Sequence, residues 1–97
     1  MPYRDDYTYT VINASGLTVV SSKKCVYGGF RVLAAAGAFN MDIFDNASAA
    51  SGQKLEPTTS VNTPANGILV TGIVAENGLV VNMSGDPTDA LILVFWQ

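Results

Sequence analysis

Few side chains in this sequence are equipped for chemistry, and their spacing limits what they can do. There is no histidine, so the chain has no Ser-His or Cys-His pair and no imidazole base near neutral pH. The single cysteine, Cys25, follows Lys23 and Lys24, and such cations lower a thiol pKa when they lie close. It also stands on an alternating strand-like run beside Val26, where a small buried apolar residue is the expected role. Asp42 and Asp45 are three apart, which on a strand directs them to opposite faces. Glycoside hydrolysis needs two carboxyls facing each other across a cleft. No catalytic residue is assigned, and an enzyme is not expected.

Oxygen ligands for a metal are equally sparse. The stretch DIFDNASAASG (42–52) lacks an oxygen-bearing residue at every second position, because Phe44 occupies a place that an EF-hand loop gives to a ligand. Asp86 and Asp89 in SGDPTD (84–89) are explained by a capped turn around Pro87. No metal and no cofactor is expected. Three Asn-x-Ser sequons begin at Asn13, Asn46 and Asn82 and read as turn residues.

Charge excludes one class of partner and points toward another. Charged residues make up 13% of the 97, the net charge is −3, and Arg4, Lys23, Lys24, Arg31 and Lys54 are scattered. A nucleic-acid footprint needs a cationic patch to neutralise phosphates, so no nucleic acid is expected. The charged fraction is about half the usual ~25%. A domain of this length buries only roughly 60–65% of its unfolded surface, so much of its exterior must be uncharged or covered by other subunits. The lone cysteine leaves no internal disulfide framework. MPYRDDYTYT lacks the cationic and apolar regions of a signal peptide, and no apolar run reaches the ~18 residues of a membrane span. A chain made in a cytoplasm, soluble or packaged from there, is the expectation, with no membrane partner.

Period-2 patterning supplies the elements. YTYTVI (7–12) alternates aromatic and β-branched residues, LTVV (17–20) follows NASG, and KKCVYGGFRVLAA (23–35) reads as a long strand with a bulge or close backbone approach at Gly28-Gly29. FNMDIF (39–44) sets Phe39, Met41 and Ile43 against Asn40, Asp42 and Phe44. A short QKLE, then GILVTGIV (67–74), GLVVNM (78–83) and ALILVFW (90–96) complete the set. Asn77-Gly78 predicts a tight type I′ hairpin. RVLAAAGAF is too short, and too flanked by β-formers, for a helix. Residues 1–97 are expected to form a single all-β domain, a small antiparallel β-sandwich or jelly-roll-like barrel of about seven to eight strands, with 1–6 as an N-terminal arm.

Two stretches carry more than periodicity. MDIFDNASAASGQKL (41–55) ends a strand on Asp45 and Asn46, spends small residues on a compact loop and closes on Gly52. The Asp45 carboxylate is expected to accept an N–H two or so residues on, and Gly52 to supply a positive φ. ALILVFW has no polar face, so both of its faces need cover: a loop, the N-terminal arm or another subunit. Left bare, it is an aggregation hazard.

The triplet Ile43-Phe44-Asp45 with a small-residue loop closing on Gly52, NGLVVNMSGD (77–86) and the terminal LILVFW resemble a recurring pattern in small virion proteins of tailed bacteriophages, over about residues 7 to 96. VINASGLTVVSSKKCVYGGFRVL fits the opening of that pattern, while LAAAGAF and the long loop EPTTSVNTPANG depart from it. The resemblance implies a small β-sandwich, often trimeric, that decorates or cements a capsid shell. The expectation is a capsid decoration or cement protein located in the virion at the capsid surface. It would bind the major capsid protein shell as a homo-oligomer, a trimer before a dimer. Leu91, Leu93, Phe95, Trp96, Phe44, Tyr7 and Tyr9 are the candidate subunit or capsid interface. The alternative is a carbohydrate- or receptor-binding module with Tyr3, Tyr7, Tyr9, Phe44 and Trp96 as an aromatic platform.

Overall fold

A computed structural model describes residues 7–34, 39–61, 65–85 and 91–97. These residues contain strands and turns but no helix, as their alternation of β-branched and aromatic side chains dictates. The strands are β1 (Thr8–Ile12), β2 (Gly16–Ser21), β3 (Cys25–Ala34), β4 (Phe39–Asp45), β5 (Gln53–Lys54), β6 (Thr59–Val61), β7 (Ala65–Ala75), β8 (Leu79–Gly85) and β9 (Leu91–Trp96). The segment RVLAAAGAF is split between the end of β3 and the start of β4.

The ladders are nested. β1 pairs with β9, β2 with β8, β3 with β7, and β4 with β5 and β6, all antiparallel. The result is one long hairpin whose tip lies at β4–β5. Rolling that hairpin sets β3 beside β9 and β4 beside β8, giving a first sheet in the order β1-β9-β3-β7 and a second in the order β2-β8-β4-β5, with β6 also on β4. This is the jelly-roll wrap. β5 and β6 pair with opposite ends of β4, so together they occupy the place of an eighth strand.

The core lies between the sheets. Ile12, Tyr27, Phe30, Val32, Ile92 and Val94 of the first sheet meet Met41, Ile43, Leu79, Val81 and Met83 of the second. On β9 the buried residues alternate with the half-buried Leu91, Leu93 and Phe95. On β4 Met41 and Ile43 are buried while Asn40 is exposed. Among the described residues no buried side chain is polar or charged, apart from the Tyr27 hydroxyl. That hydroxyl crosses the core edge to donate to Glu56 Oε2 at 2.7 Å. Burial, with the Glu56 carboxylate beside it, pushes the phenol pKa well above its ordinary value.

Two sequence expectations are corrected by the way the chain is rolled. Asn77-Gly78 does not close a hairpin: β7 lies in the first sheet and β8 in the second, so the turn crosses between layers. A Cβ at Gly78 would lie 2.6 Å from Ser21 O and 2.8 Å from Asn46 O, so glycine is needed there for close approach of three backbones. Asp45 does not cap its own loop. It accepts from Glu76 N at 3.0 Å and Asn77 N at 2.8 Å, because the sandwich brings the β7–β8 turn against the end of β4. The local cap falls to Asn46, whose Oδ1 accepts from Ser48 N and Ala49 N, both at 2.9 Å, while its Nδ2 donates to Ser51 O at 3.0 Å. Gly52 closes the loop at φ 96°. The compact turn is structural.

Candidate functional site

The outer face of the first sheet is built by the residues of β1, β9 and β3 that point away from the core. In register across the sheet, Tyr9 opposes Phe95, which opposes Gly29, and Val11 opposes Leu93, which opposes Arg31. Tyr9 is 57% exposed and Val11 45%; Leu91, Leu93 and Phe95 are half-buried, and Leu33 of β3 is exposed beside them. Tyr9 meets Phe95 edge to face, with ring centroids 6.4 Å apart and planes at 63°. Contiguous exposed apolar faces of this kind are a feature of interaction surfaces and ligand-binding grooves.

Part of the cover that β9 requires comes from within the chain. The Tyr7 ring reaches across the sheet to β3 and β7, where glycines receive it. A Cβ on Gly28 would lie 2.5 Å from Tyr7 Cε1, and one on Gly72 would overlap the Tyr7 hydroxyl. Gly28 is the unpaired residue where the register shifts between Tyr27 and Gly29 in both ladders of β3, which accounts for the break expected at Gly28-Gly29. Gly72 sits at φ 75°.

The other predicted interface residues are placed differently. Trp96 packs partly buried against the core, and its Nε1 donates to Thr10 Oγ1 at 2.9 Å, so it belongs to the interior side of β9. Phe44 points out of the second sheet but is only 9% exposed; Lys54 Nζ lies 5.9 Å from its ring centroid. Leu91, Leu93, Phe95, Tyr7 and Tyr9 are therefore gathered on one face, and Phe44 and Trp96 are not. Tyr3 lies outside the described residues, as do Asp86, Pro87 and Asp89.

On the outer face of the second sheet, sequence reasoning missed a small polar cluster. Lys54 Nζ pairs with Asp42 Oδ1 at 3.0 Å, and the Thr58 hydroxyl donates to the same carboxylate while accepting from Lys54. The Thr58 hydrogen bond, followed by Lys54, holds the Asp42 pKa below the usual carboxylate value. No local signal joins residues 42, 54 and 58; the β4–β5 hairpin does.

Cys25 is buried and free. Burial pushes its thiol pKa up, a hydrogen bond with Ser21 lowers it in part, and the Asp45 charge raises it. Lys24 pairs instead with Glu76 at 3.4 Å, and the thiol's surroundings on balance raise its pKa. Among the described residues no group of three or more His, Cys, Asp or Glu gathers to hold a metal ion, and no helix is long and apolar enough to cross a membrane.

No protein-family model, no curated protein and no solved structure matches the chain.

Proposed function

We propose that this chain is a virion structural protein of a tailed bacteriophage, a capsid decoration or cement protein that binds the assembled shell as a homo-oligomer. The observation that carries the proposal is the outer face of the first sheet, where Tyr9, Val11, Leu93 and Phe95 form adjoining apolar rows with two glycine-seated strands beside them. A subunit of a shell works through its faces, and interface cores are apolar and depleted of charge. The small charged fraction and the motif resemblance around Ile43-Phe44-Asp45 and NGLVVNMSGD point the same way. Viral capsid and lectin domains both use the jelly-roll wrap, so the fold by itself favours neither role.

Shell binding by this face follows from avidity. Each copy offers one modest apolar patch, and several copies held together engage only where a lattice repeats the matching surface. Simultaneous contact raises the effective affinity by roughly 10²-fold or more. With so few charges, binding should change little as salt rises, since screening acts on exposed charge pairs.

The test is co-sedimentation of the purified protein with shells that lack it, beside a pull-down with unassembled capsid subunits. Binding to shells and not to lone subunits is expected. Binding to a glycan array with none to shells would establish the ligand-binding module instead, with Tyr9 as its exposed aromatic.

A further inference from the structure

The two flanks of the sandwich are protected unequally. On one flank the second sheet ends in β5 and β6, two and three residues long, with Lys54 on the first and Pro57 between them. The first sheet ends there in β7, whose ladder with β3 is interrupted between Ile68 and Ile73. Short edges, a lysine, a proline and an irregular ladder all keep a sheet from recruiting another strand. Among the described residues, the first-sheet edge of the opposite flank carries none of these. β1 is the edge strand, pairs with β9 at every residue from Thr8 to Ile12 without a shift, and contains no charge, no proline and no glycine. Beneath it the second sheet ends in β2, also uncharged, with Leu17 and Val19 exposed at 41% and 46%.

We infer that β1 is the pairing edge of a two-fold dimer, occupied by β1 of a second copy lying antiparallel to it. Directly opposite residues in an antiparallel pair point to the same face, so a symmetric pair must match residues of like parity. The register that overlaps all five residues places Thr10 against the partner's Thr10 and Tyr9 against the partner's Val11. The latter is a pairing of an aromatic with a β-branched residue, of the kind that stabilises neighbouring strands. Because the strand is uncharged, self-pairing opposes no like charges. A two-fold axis normal to the sheets also brings the two β2 edges toward each other. The first sheet becomes eight strands wide, and the row Phe95–Tyr9 continues into the partner's Val11 and the partner's Leu93. The joined face is twice as wide as one copy's. The inference names the self-partner of the surface proposed above and rests on that reading only for what the joined face then meets; it makes the homo-oligomer a dimer in place of the trimer that the resemblance implies.

Sedimentation velocity over a dilution series tests it without shells. The wild type should sediment at twice the 10.2 kDa monomer mass and dissociate on dilution. The double substitution Tyr9→Lys with Val11→Lys sets like charges opposite each other in this register and should raise the dimer Kd at least about tenfold. Tyr9→Lys with Val11→Glu sets each introduced lysine against the partner's introduced glutamate and should restore the dimer. A wild-type monomer, a wild-type trimer, or equal behaviour of the two double variants overturns the inference. Should either variant melt without a cooperative transition, amide exchange of the wild type decides. Protection within Thr8–Ile12 that grows with protein concentration supports the edge pair, and concentration-independent protection overturns it. A dimer that ignores shells would sink the proposed function and leave this inference standing.

Discussion

Asp42 illustrates how a single residue acquires its role from neighbours that arrive by folding. Its carboxylate accepts from Thr58 and pairs with Lys54, and both favour the ionised form. The pKa is lower in the folded chain than in the unfolded one. A depressed folded-state pKa contributes stability that is fully present above the unfolded value, about 4, and is lost as pH falls through the folded value. Asp42→Asn should therefore lower the melting temperature at pH 7, and the gap from the wild type should narrow as pH falls below about 4. Thermal melts on either side of that value check this; a gap that widens toward acid would reverse the assigned cause. The surface side chains involved are half exposed for Lys54, so the loss at pH 7 should stay within about 1 kcal/mol.

At the scale of the element, β9 shows how one apolar strand divides between two jobs. Ile92 and Val94 are fully buried between the sheets, whereas Leu93 points outward beside Val11 and is half-buried. Ile92→Ala should cost about 2–5 kcal/mol, the range for emptying a packed core position. Leu93→Ser should cost under about 1 kcal/mol in the isolated chain, as most surface changes do, and should instead weaken shell binding. Denaturant melts read the first pair of effects and co-sedimentation the second. Equal destabilisation by both changes would mean that the strand faces are misassigned. The same division explains why the alternation-breaking run ALILVFW is tolerated. One of its faces belongs to the core, and the other is partly sheltered by the Tyr9 edge and by the Tyr7 ring seated at Gly28 and Gly72.

For the whole molecule, the nested ladders place the first strand against the last. β1 depends on β9 for its only partner among the described strands, and the Thr10–Trp96 hydrogen bond spans 86 positions of the chain. Loop closure over such separations must precede the contacts that repay it, so folding should be slow, on the order of milliseconds to seconds. The single tryptophan, Trp96, sits in the closing ladder and reports the event by its fluorescence. Stopped-flow refolding should show the main amplitude in that range. Completion within microseconds would contradict an obligatory β1–β9 closure.

Local pattern determined much of this protein. Period-2 alternation located the strands except β6, which with the start of β7 lies inside the stretch 56–67 that reads as a loop. The Gly28-Gly29 pair marked the register break, small residues between Asn46 and Gly52 defined a compact loop, and the absence of histidine removed a whole class of catalysis. The antiparallel sandwich of jelly-roll type was legible because alternation with short turns leaves few other ways to bury one face of each strand. Only the tertiary structure decided what those strands touch. It sent Asn77-Gly78 between layers instead of into a hairpin, turned Asp45 toward residues 76 and 77, covered Phe44 with Lys54 and drew Trp96 inward while Leu93 and Phe95 stayed out. The physical reason is one of range: periodicity and turn chemistry act between residues a few positions apart, whereas a ladder partner or a hydrogen-bond acceptor is chosen by closing loops of tens of residues around a shared core.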